Sequence, residues 1–260
     1  MLRYITLAVV CAAPLAAQQP DFRWEKALPV GSAVSLHNLN GDVSVTPSTS
    51  GKVEVVGVKH GSKRDFEDLT LEIIETSRGL TVCAMNKNAD MECDERGLHV
   101  HDHWGRRGRG WDDLQIDIEV KLPKTMTVDA HSVSGNVSVV GAEGAVRAGS
   151  VSGDVRMERL RASSVKASSV SGDVVVGIEA LTGDGQLSFT SVSGNVTAEL
   201  PKGIDADVTM RSVSGSLDSD FPLTLNGRMN RHSVEARIGR GGRELEVRTV
   251  SGDVRLRSAK

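Results

Sequence analysis

The chain has 260 residues, a formal net charge of −3, 25% charged residues and only 3% aromatic residues. So balanced a charge excludes the basic surface that nucleic-acid binding requires, and so few aromatics exclude a wide globular core. Abundant Gly, Ser and Val suit a narrow core of stacked small and β-branched side chains.

At the N-terminus, Met1, Leu2 and Arg3 give a positive start and Tyr4 to Ala17 an apolar stretch that ends in small residues. This reads as a secretory signal over 1–17, cleaved near Ala17. The stretch is too short for a membrane span of about 20 residues. Val10 stands before Cys11, where lipoprotein processing calls for a small residue, so an exported rather than lipid-anchored chain is expected. Removal of the signal leaves Cys83 and Cys93, which are expected to pair in an oxidising compartment.

Strand candidates follow at 33–38, 42–46, 52–59, 69–76, 79–85 and 114–122, with a long, polar, exposed loop over 86–113. We take 18–125 as a less regular N-terminal β portion, either a distorted part of one coil or a cap over its open end. The remainder, 126–260, is a repeat array.

The repeat is the phrase Ser132-Val133-Ser134-Gly135-Asn136-Val137, which returns around Gly153, Gly172, Gly194, Gly215 and Gly252, with an outlying copy at Gly41. A period of roughly 20 residues belongs to a repeat architecture. Val128, Ala130 and Ser132 alternate on even numbers, whereas Val133, Gly135 and Val137 alternate on odd ones. Read as inward positions, Ser132 and Val133 cannot share one regular strand. The parity therefore predicts a corner at the Ser-Val step and an inward Gly on the strand that follows. The expected fold is all-β, a single-chain parallel β-solenoid with rungs of about 20 residues stacked 4.8 Å apart. Val234, Ala236 and Ile238 read as a degenerate rung, with Gly239 to Gly242 turning into the last strand.

Candidate chemistry is sparse. Asn136, Asp154, Asp173 and Asn195 would stack as an outward ladder, but nothing beside them completes the six or more oxygen ligands of a calcium site, so a polar ladder is expected. His99, His101 and His103 would share one face of an extended segment and could bind a transition metal, yet with Cys83 and Cys93 their spacing matches no structural zinc pattern. Arg106, Arg107 and Arg109, with Trp104 and Trp111, could meet an anionic glycan or headgroup, although Asp112 and Asp113 offset that charge. No nucleophile elbow, phosphate loop or dinucleotide fingerprint is present, and no catalytic, cofactor-binding or metal residue is assigned.

The Ser/Thr-Val-Ser-Gly-Asp/Asn-Val repeats, the Thr81-Val82-Cys83-Ala84 segment with its later Cys93, and the ending from Gly239 to Leu256 resemble the bacterial putative-adhesin family of unknown function. The resemblance implies an exported β-solenoid of the cell envelope, in some relatives tied to envelope-stress responses, and it implies no catalytic residue. The function expected is a non-catalytic scaffold for adhesion or surface interaction, located in the periplasm, at the cell surface or outside the cell. An envelope glycan or a surface protein is the partner class, no cofactor or nucleic acid is implied, and the mature chain holds no transmembrane segment. The alternative is a carbohydrate-active β-helix enzyme, a lyase or hydrolase.

Overall fold

The computed structural model describes residues 20–61, 66–87, 89–101, 115–225 and 230–259, so the expected signal over 1–17 lies outside the described residues. Every regular element among them is a strand. In chain order these are β1 (Phe22–Lys26), β2 (Ala33–Asn40), β3 (Val43–Pro47), β4 (Val53–His60), β5 (Leu69–Thr76), β6 (Gly79–Asn86), β7 (Met91–Asp94), β8 (Gly97–Val100) and β9 (Gln115–Leu122). The repeats then give β10 (Thr127–Ser134) with β11 (Val137–Val140), β12 (Val146–Ser152) with β13 (Val155–Ala162), and β14 (Val165–Ser171) with β15 (Val174–Leu181). After them come β16 (Leu187–Ser193) with β17 (Val196–Leu200), β18 (Ala206–Ser214) with β19 (Leu217–Ser219), the short β20 (Thr224–Leu225) and β21 (Ser233–Ile238), and finally β22 (Arg243–Ser251) with β23 (Val254–Ser258).

Each repeat contributes one strand to each of two long sheets, of 10 and 11 strands, and the repeat strands pair in parallel. This is the all-β, solenoid-like coil expected from the sequence. The pairing aligns like with like: Val43, Val137, Val155, Val174, Val196 and Val254 form one buried ladder. From the facing sheet, Leu36, Ala130, Ala148, Ala167, Phe189, Val247 and Met210 form another. Small residues along one row and a single Phe189 in it match a core too narrow for many rings.

The corner differs from the one the parity predicts. In the copies from Gly135 onward the strand runs on through Ser-Val-Ser, with Thr249 for the first Ser in the last copy, and turns at Gly-Asp/Asn, with Ser216 in the Asp/Asn place after Gly215. Ser132 is buried, Val133 is outward, and the inward phase resumes at Val137. Parity misleads because hydrophobicity places Val133 inward as well, whereas Ser132 alone is the inward residue and its hydroxyl is satisfied by the Gly41 carbonyl. Gly is required at the corner itself. A Cβ on Gly153, whose φ is +157°, would lie 2.2 Å from the Gly135 carbonyl oxygen of the rung beside it.

The spatial order of rungs also departs from chain order. The last repeat inserts between its predecessors, so that β22 lies between β16 and β18, and β23 between β17 and β19. Beyond β18, β21 pairs antiparallel, and Val234, Ala236 and Ile238 point inward from it as a closing strand rather than a parallel rung. At the opposite end, β2 and β3 pair in parallel with β10 and β11, and a divided rung of β6 and β9 follows them. Antiparallel β5, β4 and β1 then close that end. Antiparallel strands thus end both sheets on the β1 and β5 side and the 11-stranded sheet on the β21 side, while the 10-stranded sheet ends there on the three-residue β19, paired in parallel with β23. Short or antiparallel edges limit recruitment of further strands.

Candidate functional site: an outward valine and serine stripe beside a clasped hairpin

Most of the repeat phrase is spent on the coil. The buried hydroxyls of Ser150, Ser169, Ser191, Thr249 and Ser212 donate to the corner carbonyls of Gly135, Gly153, Gly172, Gly194 and Gly252, at 2.8 to 2.9 Å. In every pair the acceptor belongs to the adjacent rung. At the first rung Asn38 replaces the hydroxyl, and its Nδ2 donates to the carbonyls of Gly41 and Ile116.

The Asp/Asn position has an equally local role. Asp42 Oδ1 accepts the backbone N–H of Asn136, Asn136 that of Asp154, Asp154 that of Asp173, and Asp173 that of Asn195. Asn195 then accepts from Asp253, and Asp253 from Ser216. One side-chain oxygen per rung thus satisfies a corner amide that the sheet ladders leave free. The outward ladder of Asn136, Asp154, Asp173 and Asn195 is an amide-capping device, and among the described residues no group of three or more His, Cys, Asp or Glu is placed to hold a metal.

Two positions of the phrase have no such role. Val133, Val151, Val170, Val192, Val250 and Val213 follow one another across the sheet, outward and 45% to 67% exposed. Beside them Ser134, Ser152, Ser171, Ser193, Ser251 and Ser214 form an exposed row. Other outward rows vary freely: the row of His131 continues as Gly149, Ser168, Thr190, Arg248 and Arg211. The row of Ser138 continues as Arg156, Val175, Thr197, Arg255 and Asp218. Strand propensity favours a β-branched residue at any of these places, but it does not select Val and Ser at the same two places six times. Hydrophobicity alone places Val133 and its counterparts in the core and so hides both rows; the position-by-position recurrence among the copies carries the signal.

A hairpin walls one end of this stripe. Within the segment expected to be loop, β7 and β8 pair antiparallel, and Cys93 on β7 is disulfide-bonded to Cys83 on β6, with Cα atoms 6.1 Å apart. Asp94 shapes the turn by accepting the backbone N–H groups of Arg96 and Gly97 and by pairing with His99 at 3.0 Å. Leu98 and Val100 of β8 face Val133, Val151 and Val170 across a cleft of about 400 Å³, with His37, His131 and Gly149 also lining it.

His37 and His131 stack there with ring centroids 6.0 Å apart. Burial and the neighbouring His131 hold the His37 imidazole below its ordinary pKa. Burial pushes the Asp129 carboxyl up, but its 2.6 Å contact with His131 outweighs this and leaves it below the usual carboxylate range. Of the histidine run, His99 pairs with Asp94 and His101 with Glu92, so these two imidazoles are committed separately, while His103 and the Arg and Trp residues of 104–111 lie outside the described residues.

A family model described as Toastrack DUF4097 matches residues 34–257, which takes in every repeat and leaves out β1. The chain belongs to the Toastrack DUF4097 family. Among solved structures, the chain is similar to a putative cell adhesion protein from Clostridium sporogenes, at 10% identity and a TM-score of 0.52, over 93% of this chain and 100% of that one. A putative adhesin from Bacteroides fragilis is 10% identical over 94% of this chain and 98% of its own, with a TM-score of 0.40. At such identity the first likeness shows a shared fold. No curated protein matches. For this Toastrack chain no described helix is long and apolar enough to cross a membrane.

Proposed function

We propose that the protein is an exported, non-catalytic envelope scaffold whose coil presents the valine and serine stripe to a surface partner. The observation that carries this reading is the sixfold recurrence of Val and Ser at two solvent-facing positions that neither the core nor the corner requires. Each exposed Val adds apolar area in contact with water that a partner would cover, and a row of them is the kind of contiguous patch that marks an interaction surface. The apolar leader at Tyr4 to Ala17 and the paired Cys83 and Cys93 favour an oxidising compartment outside the cytosol. The adhesin descriptions of the structural neighbours agree with a surface role. The carboxylates of Asp42, Asp154, Asp173 and Asp253 are engaged by corner amides, which favours a scaffold over a carbohydrate-active enzyme.

Retention of the purified protein on isolated bacterial envelopes tests the reading. The paired substitution Val151→Asp and Val170→Asp should reduce retention about tenfold, since each introduces charge into an apolar contact. The control Arg156→Asp, in a variable outward row, should leave retention unchanged. Equal retention of the stripe variant and the wild type overturns the proposal.

A further inference from the structure

We propose that the β7–β8 hairpin is a proton-sensitive clasp over one end of the valine and serine stripe, released when His37 takes up a proton. The proposal rests on the stripe being the docking surface and names how access to it is regulated.

The hairpin has two attachments with different chemistry. Cys93 ties β7 covalently to β6, so the hairpin cannot leave the coil. Its turn rests on His37: a Cβ built on Gly97 would lie 2.7 Å from both Cε1 and Nε2 of that ring, so the Gly97 backbone lies directly against the imidazole. Two polar supplements at the turn are long, the Thr81 hydroxyl to the Glu95 carbonyl at 3.5 Å and the exposed Arg78 guanidinium to the Glu95 carboxylate at 3.9 Å. The docked position of β8 therefore depends on the His37 surface beneath it, while the disulfide acts as the hinge.

The charges around His37 determine the sign. From β10, His131 stacks on it, and Asp129 is hydrogen-bonded to His131; from β12, Arg147 acts on Asp129; from β8, His99 faces it and is itself paired with Asp94 of β7. Arg96 and Glu95 complete the charged groups of the turn, and Cys83, opposite His37 on β6, is in the disulfide and does not titrate. Asp129 favours a proton on His37, but burial, His131 and His99 oppose it, and the balance lies below the ordinary imidazole value. An undocked hairpin would expose the ring to water and return it towards that value. Docking is therefore strongest above a pH of about 6.5 and weakens as the pH falls below it. One proton taken up on opening raises the opening constant by at most about tenfold per pH unit.

Opening has a consequence for the stripe. Leu98 and Val100 would withdraw from Val133, Val151 and Val170, and a cleft that now ends at the hairpin would run on as an open apolar row. Mild acid would then lengthen the surface available to a partner.

Amide hydrogen exchange of residues 97–100 in the full chain, corrected for the intrinsic pH dependence of exchange, tests the clasp without any partner. Between pH 8 and pH 5 the corrected opening should increase severalfold. His37→Gln should remove that increase, and His131→Gln should reduce it. In the wild type, the His37 ring followed by NMR should titrate below its ordinary value and in step with the exchange of β8. Corrected opening that is flat with pH, or a His37 titration that leaves β8 protection untouched, overturns the clasp even if His37→Gln fails to fold. Envelope retention unaffected by stripe charges would instead remove the docking reading and leave the clasp standing.

Discussion

The Ser169 hydroxyl donates to the Gly153 carbonyl of the adjacent rung at 2.9 Å. This contact joins a buried position of one repeat to the corner of the repeat before it, and its counterparts recur along the coil. It makes the two halves of the repeat phrase depend on each other: Gly permits the rungs to approach, and Ser satisfies the carbonyl that the approach buries.

Ser169→Ala should lower stability by about 0.5–1.5 kcal/mol, the net worth of one such hydrogen bond. Gly153→Ala should cost more, about 3 kcal/mol or beyond, because the new Cβ would meet the Gly135 carbonyl oxygen at 2.2 Å and φ is +157°. Denaturant unfolding of both variants checks the order. A Gly153→Ala variant as stable as Ser169→Ala would mean that the corner adjusts freely.

The amide-capping ladder predicts an asymmetry between two substitutions at one position. Asp173 accepts the Asn195 backbone N–H at 2.7 Å and its Nδ2 at 3.2 Å. Asp173→Asn keeps an acceptor and reproduces what Asn136 and Asn195 already do, so its effect should stay within about 0.5 kcal/mol. Asp173→Ala leaves the corner amide to water and should cost about 1 kcal/mol. Thermal unfolding of the two variants measures the difference.

These contacts explain which parts of the fold were legible in sequence. Strand positions were readable because inward Val alternates with polar residues, and β2 to β6 and β9 fall close to the segments expected from that alternation. The corner was misplaced because hydrophobicity alone cannot tell an outward Val133 from an inward one when a buried Ser132 occupies the true inward place. The insertion of β22 between β16 and β18 leaves no local trace, since all repeats carry nearly the same phrase and any two can pair. The His37 and His131 stack joins residues 94 positions apart in the chain, visible only once β2 is placed beside β10.

The disulfide predicts a local rather than global effect. Cys83 and Cys93 are separated by 10 residues, a loop for which closure contributes about 2–3 kcal/mol in the chain-entropy account. The bridge ties the hairpin to β6 and none of the repeat rungs to each other. Reduction, or Cys93→Ser, should therefore abolish exchange protection over 91–100 while β12 to β17 keep theirs. Uniform loss of protection across the repeats would show that the hairpin supports the whole coil.

Within the parallel coil itself, stronger acid than the clasp responds to should loosen the end opposite the hairpin before the central rungs. Backbone N–H donation from Arg240, Gly242, Ser258 and Ser216, reinforced by nearby Arg groups, holds the carboxyls of Asp205, Asp207, Asp220 and Asp253 below the usual range. All four brace the β18, β19, β21, β22 and β23 end of the coil. For a carboxyl whose folded pKa is depressed, the stabilisation is fully present above its ordinary value near 3.8 and is lost as the pH falls through the lower folded value. Exchange protection of β18 and β21 should accordingly begin to fall below about pH 4, ahead of β12 and β14. Asp207→Asn removes one titrating group and should flatten that part of the profile, because its neutral amide neither gains nor loses a proton there. Since nearest-neighbour stacking lets an array melt from an end, the central rungs should outlast β21 in acid; simultaneous loss at both places would show the coil to be one cooperative unit.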